Sequence, residues 1–463
     1  MKVLIYVLLI IFFNSCGDNI RSSNGDSDSD VNTSIITDSN TNPLFYQQWS
    51  INYDENFYLE NSIDKDAGIN SQNVWRNYTG KGVKIAIIDD GFDVTHPEIK
   101  NKIIKTASVD DYGFVSSDAT HLSSLDFHGT AVAGIIGAVN NSLGIQGVAP
   151  DAELILIRYP LYLSDAIVIE LFEQALAADA DVINCSWGTN NVSDTIRDYI
   201  NYISTYGRNG KGVVVVFASG NTNEDISTDE SSIVSVIGVG ATDRENLRTW
   251  YSSYGKDLDI VAPGGYELGI TTIDPVGSYG SSIDDYIRYN ESSNGYINSF
   301  IGTSAAAPIV AGVIALGLEK DNSLTREEIQ ELLKSSTTTI GNNTPYIDDM
   351  IVSSSLTPSI TGIYGASGEG DFSVRLVSSS GRRYGPYSID SIGNNEWSAT
   401  VTDALSNGIY TIEVIENSEG FILATDTEFE VNTQKVSLKD KTKRKSDFYG
   451  YGKIDLEKFI NSI

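Results

Sequence analysis

From about residue 81 the chain repeats one pattern: a short apolar run, a turn, then a stretch with helical periodicity. The runs "GVKIAIIDDG", "AELILIRYP", "DVINCSWG", "GVVVVFASGN", "IVSVIGVGATD" and "LDIVAPGG" are rich in β-branched residues and barely alternate. Strands of that kind are buried on both faces of a parallel sheet. Between them, "HGTAVAGIIGAV", "AIVIELFEQALAA" and "TIRDYINYISTYGRNG" predict crossover helices, so the expected fold class is α/β. Such sheets bind ligands beyond the carboxyl ends of their strands, which directs attention to the polar residues there. Further on, "LTREEIQELLKSST" predicts an amphipathic helix opened by a capping box of Thr325 and Glu328.

Residues 265–297 are a long excursion rich in Gly, Ser and Tyr. From about Ser359 the pattern changes to alternating strands with turn residues between them, as in "DFSVRLVSSSGRRYG" and "NEWSATVTDALSNGIYTIEVIE". This predicts a small β-sandwich over 356–434, similar in pattern to bacterial immunoglobulin-like repeats. A basic segment, "KDKTKRKS", follows, and "DFYGYGKIDLEKFI" then has the form of a last turn and helix of the α/β domain. The sandwich is therefore expected to be an insertion, with 42–355 before it and 435–463 returning after it.

The start, "MKVLIYVLLIIFFNSC", gives one Lys, an apolar run of export-signal length, then Ser15 and Cys16. Residues 1–16 read as a signal peptide rather than a spanning helix, with Cys16 placed like the lipid-bearing cysteine of bacterial lipoproteins. Phe13 and Asn14 stand where such signals usually carry Leu and a small residue. Residues 17–41 are polar and acidic, and a segment that can bury so little is expected to be a disordered tether. The implied location is the cell envelope, held to a membrane by a lipid anchor.

Composition narrows the partners. The 463 residues carry 31 basic and 62 acidic side chains, a net charge of −31, which argues against nucleic acid. Cys16 and Cys185 are the only cysteines, so no intrachain disulfide can form once Cys16 is acylated. Cys185, inside an apolar run, is expected to be inert packing.

Three histidines limit any imidazole chemistry to His96, His121 and His128. His96 precedes a proline and reads as structural, and His121 lies in a loop expected to be exposed. His128, in "DFHGTAVAG", stands directly before a helix of small and apolar residues. Asp89 ends the run "VKIAII", where a carboxylate needs a partner to offset its desolvation, and a histidine held in one tautomer is a suitable one. Asp90 competes for that role, but successive strand residues face opposite sides. Ser304, in "IGTSAAAP", sits at a helix start because Pro308 limits how much helix can precede it. A serine nucleophile requires a base and a stabilised oxyanion, and the amides of a helix start supply partial positive charge. Asn221, ending the run "FASGN", offers a second donor.

Asp89, His128, Asn221 and Ser304 occur in the order Asp, His, Ser, the chain order of subtilisin among triad hydrolases. From about residue 43 to the end, leaving out the sandwich, the chain resembles the subtilisin-like serine endopeptidases. The resemblance implies a subtilisin-like parallel sheet flanked by helices and hydrolysis of peptide bonds in protein or peptide substrates. It makes Asp89 the residue that orients the imidazole, His128 the general base and then acid, and Ser304 the nucleophile. Asn221 and the Ser304 amide would hold the oxyanion. The family usually has Met where this chain has Ala305. "NPLFYQQW", "NVWRNYTGKGVKIAIIDDG" and "CSWG" look closest to the kexin or proprotein-convertase branch. On that likeness Ser186, Trp187 and Gly188 would line one side of the substrate cleft and Ala218, Ser219 and Gly220 the other. Asp90 would favour a basic residue at the second position before the scissile bond. The convertases carry an acidic residue where this chain has Asn191, which weakens the case for dibasic specificity.

The resemblance also implies a structural Ca²⁺ site in "AVNNSLGIQGVAP": the Asn141 side chain, the carbonyls of Val139, Leu143 and Ile145, and the carboxylate of Glu98, where relatives more often have Asp. A glutamine at 47 or 48 would complete it. An all-oxygen cage suits this ion. The segment from Cys16 to about Asn42 is too short for the folding prodomain of many secreted relatives. The rival functions are a catalytically silent adhesion or binding lipoprotein on the same fold, and a serine hydrolase acting on esters.

Overall fold

The structure, a computed structural model, describes residues 42–463 apart from 124, 277–294, 342–344, 365–370, 394, 419 and 436–437. The expected signal peptide, Cys16 and the acidic tether lie outside the described residues, as does much of the Gly-, Ser- and Tyr-rich excursion.

The apolar runs become β1 (Lys84–Asp89), β2 (Ile103–Val109), β3 (Val115–Ser116), β4 (Glu153–Arg158), β5 (Val182–Cys185), β6 (Val214–Ala218), β7 (Val236–Thr242) and β8 (Ile260–Pro263). β9 (Ile270–Ile273) and β10 (Tyr296–Phe300) pair antiparallel beside them. With β11 (Thr337–Thr338) and β20 (Lys453–Ile454), the first eight build a ten-stranded sheet in the order β11-β20-β8-β7-β6-β5-β1-β4-β2-β3. Only its outermost pairs, β11 with β20 and β2 with β3, are antiparallel.

The lack of alternation has a direct cause. Ile85, Ile87, Val214 and Val216 face one core, which helices His128–Gly137 and Thr303–Lys320 cover. Ala86, Ile88, Val215 and Phe217 face another, under helices Asp165–Leu176 and Asp194–Gly210. Both sides of each strand must therefore be apolar. The first two helices are surrounded by protein, and glycines let them approach. A Cβ on Gly134 would come within 2.5 Å of Ile273, and one on Gly312 within 2.5 Å of Val148. Thr303–Lys320 is long and apolar enough to cross a membrane by composition, but 89% of that window is buried inside the protein, so it is a core helix. The helix Arg326–Ser335 carries the expected capping box of Thr325 and Glu328.

The insert is β-rich. Its strands are β12 (Pro345–Ser353), β13 (Ser359–Tyr364), β14 (Phe372–Ser378), β15 (Arg383–Gly393), β16 (Glu396–Thr400), β17 (Gly408–Glu416), β18 (Ile422–Val431) and β19 (Leu438–Lys445). The ladder closes on itself, because β12 pairs with β13 at its start and with β18 at its end, while β15 passes from β14 to β16. Trp397, Phe372, Val374, Ile412 and Phe429 fill its core. The Tyr410 hydroxyl donates to the Ser406 carbonyl at 2.9 Å, a corner bond found in immunoglobulin-like sandwiches.

The strands reach beyond 356–434 at both ends. β12 carries Asp348 in its interior and β19 is a basic run, so neither has the apolar alternation of a strand. Asp348 is buried opposite Arg444, which donates to it at 2.7 Å, and Thr361 donates to its other oxygen at 2.7 Å. A charge pair across two strands hides both from a hydrophobic pattern. After β19 the chain returns to the main sheet as β20, parallel to β8, and ends in the helix Leu456–Ser462.

Candidate active site

The site is assembled at the carboxyl ends of β1, β5 and β6. Ile88 lies opposite Cys185, and Cys185 opposite Phe217, so Asp89, Ser186 and Ala218 leave three adjacent parallel strands side by side. Asp89 is fully buried and its Oδ1 accepts from His128 Nδ1 at 2.8 Å and from the Asp90 amide at 2.8 Å. Its Oδ2 is buried without a hydrogen-bond partner. With Nδ1 donating to Asp89, the neutral imidazole keeps Nε2 as the acceptor.

Asp90 does something else. The helix His128–Gly137 gets no side-chain bond from its own N-cap, Phe127. Asp90 supplies it from outside, accepting from the Gly129 amide at 2.8 Å and the His128 amide at 3.3 Å. A carboxylate there also complements the positive end of the helix dipole. Burial and the charge of Asp89 push the Asp90 carboxyl well above the usual range, against the opposing pull of His128 and the Gly129 amide. For His128, burial alone would lower the pKa, but the charge and hydrogen bond of Asp89, with the charge of Asp90, outweigh it and push the ring up to about 9.

Ser304 is the second residue of the helix Thr303–Lys320. The turn before it needs Gly302, whose φ is +125° and where a Cβ would meet Asn221 Nδ2 at 3.1 Å. Pro308 lies inside the helix rather than at its edge, and with no N–H it cannot bond the Ser304 carbonyl. Ser186 takes over: its hydroxyl donates to that carbonyl at 3.1 Å, and Asn184 Nδ2 donates to the Ser186 hydroxyl at 3.0 Å. The Ser304 hydroxyl donates to the Ser186 carbonyl at 3.1 Å and so is turned toward Ser186. Asn221 Oδ1 accepts from the Thr303 amide and hydroxyl, each at 2.9 Å. Two donors on one oxygen fix which way the amide faces, and Nδ2 points past Gly302.

The expected cleft residues are placed unevenly. The Trp187 side chain lies in the core under the sheet, its ring 5.2 Å from Phe217 and its Nε1 donating to the Ile88 carbonyl at 2.8 Å. It anchors the end of β1 and leaves any contact with a peptide to the backbone. Gly188 is closed by Asp229, whose Oδ2 would be 2.6 Å from a Cβ. Ala218 is buried, the Ser219 hydroxyl donates to the Ser253 carbonyl at 3.2 Å, and Gly220, at φ +97°, donates to Thr303 Oγ1 at 3.2 Å. Both sides are thus backbone surfaces. Asp229 and Glu230, which sequence reasoning missed, are buried and hold the next turn. Glu230 accepts from the Thr189 amide at 2.9 Å, and Asp229 from the Asn190 amide at 3.2 Å. Burial and the charge of Asp229 push Glu230 up to about 7. Nothing in "STDESS" distinguishes two buried acids from an exposed acidic turn.

Glu98 is buried in the loop expected to hold a cation. Its Oε1 accepts from the Tyr296 hydroxyl at 2.8 Å and the Ile145 amide at 3.2 Å, its Oε2 has no hydrogen-bond partner, and the Asn141 side chain lies against it. The Val139 amide donates to the Glu98 carbonyl at 3.0 Å, and the Leu143 amide to Asn141 Oδ1 at 3.0 Å. A buried carboxylate oxygen without a hydrogen-bond partner, with the Asn141 side chain against the same carboxylate, fits a hard divalent cation. The glutamines do not complete the cage. Gln48 exchanges two bonds with the Gln146 backbone, at 2.7 and 2.8 Å, and Asn42 is the residue that reaches the loop, donating to the Ile145 carbonyl. His96 is buried against the Gly295 carbonyl as a structural residue. His121 is half-buried rather than exposed, with Nδ1 3.2 Å from the Phe92 carbonyl. The Cys185 thiol is buried, and burial pushes its pKa up, which keeps it inert.

Residues 80–360 match the model of the subtilase family. The calcium-dependent protease of Trichormus variabilis is 34% identical over 295 residues, covering 58% of this chain and 44% of that protein. Subtilisin NAT of Bacillus subtilis subsp. natto is 34% identical over 282 residues, covering 58% of this chain and 64% of that protein. The chain therefore covers less than two thirds of the length of these relatives. Among solved structures, a protease from Pseudoalteromonas arctica aligns with a TM-score of 0.51 and 28% identity over 65% of this chain and 93% of that one. A serine protease of Aeromonas sobria aligns with a TM-score of 0.55 and 18% identity over 87% of this chain and 94% of that one, a likeness of fold.

The Ser186 relay yields a direct test. Ser186→Ala leaves the Ser304 carbonyl and the Asn184 amide without their partner, and urea denaturation is expected to show a loss of about 1–3 kcal/mol. An unchanged midpoint would mean that Pro308 imposes no such requirement.

Proposed function

The chain belongs to the subtilase family, and on that premise we propose that it is a serine endopeptidase using Asp89, His128 and Ser304. The observation that carries this reading is the 2.8 Å bond from His128 to a buried Asp89 at the strand end beside Ser186, on which the Ser304 hydroxyl rests. An extended peptide pairs with the backbone of Ser186 to Gly188 on one side and Ala218 to Gly220 on the other. Its amide competes for the Ser186 carbonyl and frees the Ser304 hydroxyl to turn to His128 Nε2. Oγ then attacks the scissile carbonyl as Nε2 takes the proton, and the oxyanion accepts from Asn221 Nδ2 and the Ser304 amide. Collapse expels the amine, protonated by His128, and a water activated by the same ring hydrolyses the acyl-enzyme. Asp90, with both oxygens bonded to amides, attracts a basic residue before the scissile bond through charge alone. "NPLFYQQW" and "CSWG" support a place near the convertase branch.

We further propose that Cys16 carries a lipid and holds the enzyme on the cell envelope, and that Ca²⁺ binds through Glu98, Asn141 and the carbonyls of Val139, Leu143 and Ile145. The ion would neutralise Glu98 and tie the loop to the helix His128–Gly137; it takes no part in bond cleavage.

A fluorophosphonate probe is expected to label the protein but not Ser304→Ala, and casein to be cut only by the former. No labelling of either would favour the silent binding lipoprotein, and labelling with ester but no casein cleavage the esterase. For the cation, chelation is expected to lower Tm by several degrees and the Glu98→Gln variant to show a much smaller drop; equal Tm with and without chelator would remove the site.

A further inference from the structure

The β-rich insert has no part in these steps, yet its return limb touches the main sheet beside the site. Between β19 and β20, Asp447 bolts the two parts together. Its amide donates to the Leu423 carbonyl of β18 at 3.0 Å, its Oδ2 accepts from Thr425 at 2.9 Å, and its carbonyl accepts the Gly255 amide at 2.8 Å. Next to it, Phe448 stacks on Tyr254 with ring centres 4.7 Å apart. The Arg248 guanidinium lies 5.0 Å from the Phe448 ring and 5.2 Å from the Tyr254 ring, and the Arg248 amide donates to the Tyr449 hydroxyl at 3.1 Å.

Arg248 in turn reaches the loop that carries Asn221. It donates to Asn223 Oδ1 and to the Ser252 carbonyl. The segment from Arg248 to Tyr254 then runs alongside that loop. The Asn223 amide donates to the Tyr251 carbonyl at 2.9 Å, the Ser253 amide to the Gly220 carbonyl at 2.9 Å, and the Tyr254 amide to the Glu224 carbonyl at 3.0 Å. In the middle of the segment Tyr251 is buried. Its hydroxyl donates to the Gly265 carbonyl at 2.5 Å, lies 3.2 Å from the Gly264 carbonyl, and accepts the Gly302 amide at 3.1 Å. Gly302 is the left-handed turn from which Ser304 projects. One side chain thus touches the nucleophile turn while its backbone holds the oxyanion loop.

Resting on the endopeptidase reading, we propose that Tyr251 is a positioning residue for the Gly302 to Ser304 turn and the Asn221 loop, and that the insert, through Phe448 and Arg248, holds the segment that bears it. The physical reason is tolerance. The Gly302 amide is shared between the Tyr251 hydroxyl and the Gly264 carbonyl, 3.0 Å away; a hydrophobic ring of the same size would fill the space but leave that amide the carbonyl alone and remove the hydroxyl that ties the turn to Gly265, and a turn freer to shift would carry the Ser304 amide away from the oxyanion. Displacements near 1 Å in such a site cost about 100-fold in rate. The insert on this account is a brace for the catalytic loops.

The test uses the full chain with Tyr251→Phe and, remote from the site, Phe448→Leu. For a peptide amide substrate, kcat is expected to fall about tenfold in the first and roughly threefold in the second, with KM changed less than about twofold. The affinity of a peptide boronate, which forms a tetrahedral adduct on Ser304, should fall by the same factor as kcat/KM. A purely structural role would move Tm and leave the boronate affinity unchanged. Unaltered kcat and boronate affinity in both variants would overturn the proposal while leaving the endopeptidase reading intact. A wild-type protein that fluorophosphonate does not label would overturn both. Should Tyr251→Phe fail to fold, Phe448→Leu decides alone.

Discussion

Asp89 is a carboxylate buried where a parallel strand ends, and one imidazole, that of His128, stands 2.8 Å from it. Much of the site follows from keeping that pair together. The strand end is held by the Trp187 indole on the Ile88 carbonyl, and the helix that presents His128 is held by Asp90 on its first amides. Neither holder touches the imidazole ring by hydrogen bond. Both limit how far Asp89 and His128 can drift apart, and that matters because a buried carboxylate left without its partner is costly.

Ser304 is set by a second constraint, on backbone rather than charge. Pro308 deprives the Ser304 carbonyl of its helical partner, and the chain answers with a relay from the neighbouring strand: Asn184 to Ser186 to Ser304. Because Ser186 follows Cys185, and Cys185 is opposite Ile88, the relay and the charge pair share one sheet register. The register of β1 and β5 therefore sets Asp89 beside Ser186, on whose carbonyl the Ser304 hydroxyl rests. Tyr251 and Asn221 fix the same turn from the other side.

How much of this could be seen in the chain depends on whether a signal is local. Strands buried on both faces show as unbroken β-branched runs, and the capping box at Thr325 and Glu328 is a three-residue interaction, so both were legible. Asp89, His128 and Ser304 could be singled out as candidates because each lies at the end or start of an element, and Asn221 because it follows β6 by three residues. What the chain did not show depended on facing and distant partners. Trp187 sits in a cleft motif but turns into the core, and Asn42 rather than a glutamine meets the Ile145 carbonyl. Strands β12 and β19 conceal themselves by pairing Asp348 with Arg444. Asp229 and Glu230 look like any acidic turn until burial is known.

The charge pair can be observed directly, since only three histidines are present and their imidazole signals can be separated by NMR with nitrogen-15 labelling. The account predicts a hydrogen-bonded Nδ1 proton on His128 and a ring pKa raised above its ordinary value by the Asp89 carboxylate, both lost or lowered when Asp89 is replaced by Asn. A His128 ring that titrates at or below the ordinary 6.5 in the unaltered protein, with no such proton, would contradict it.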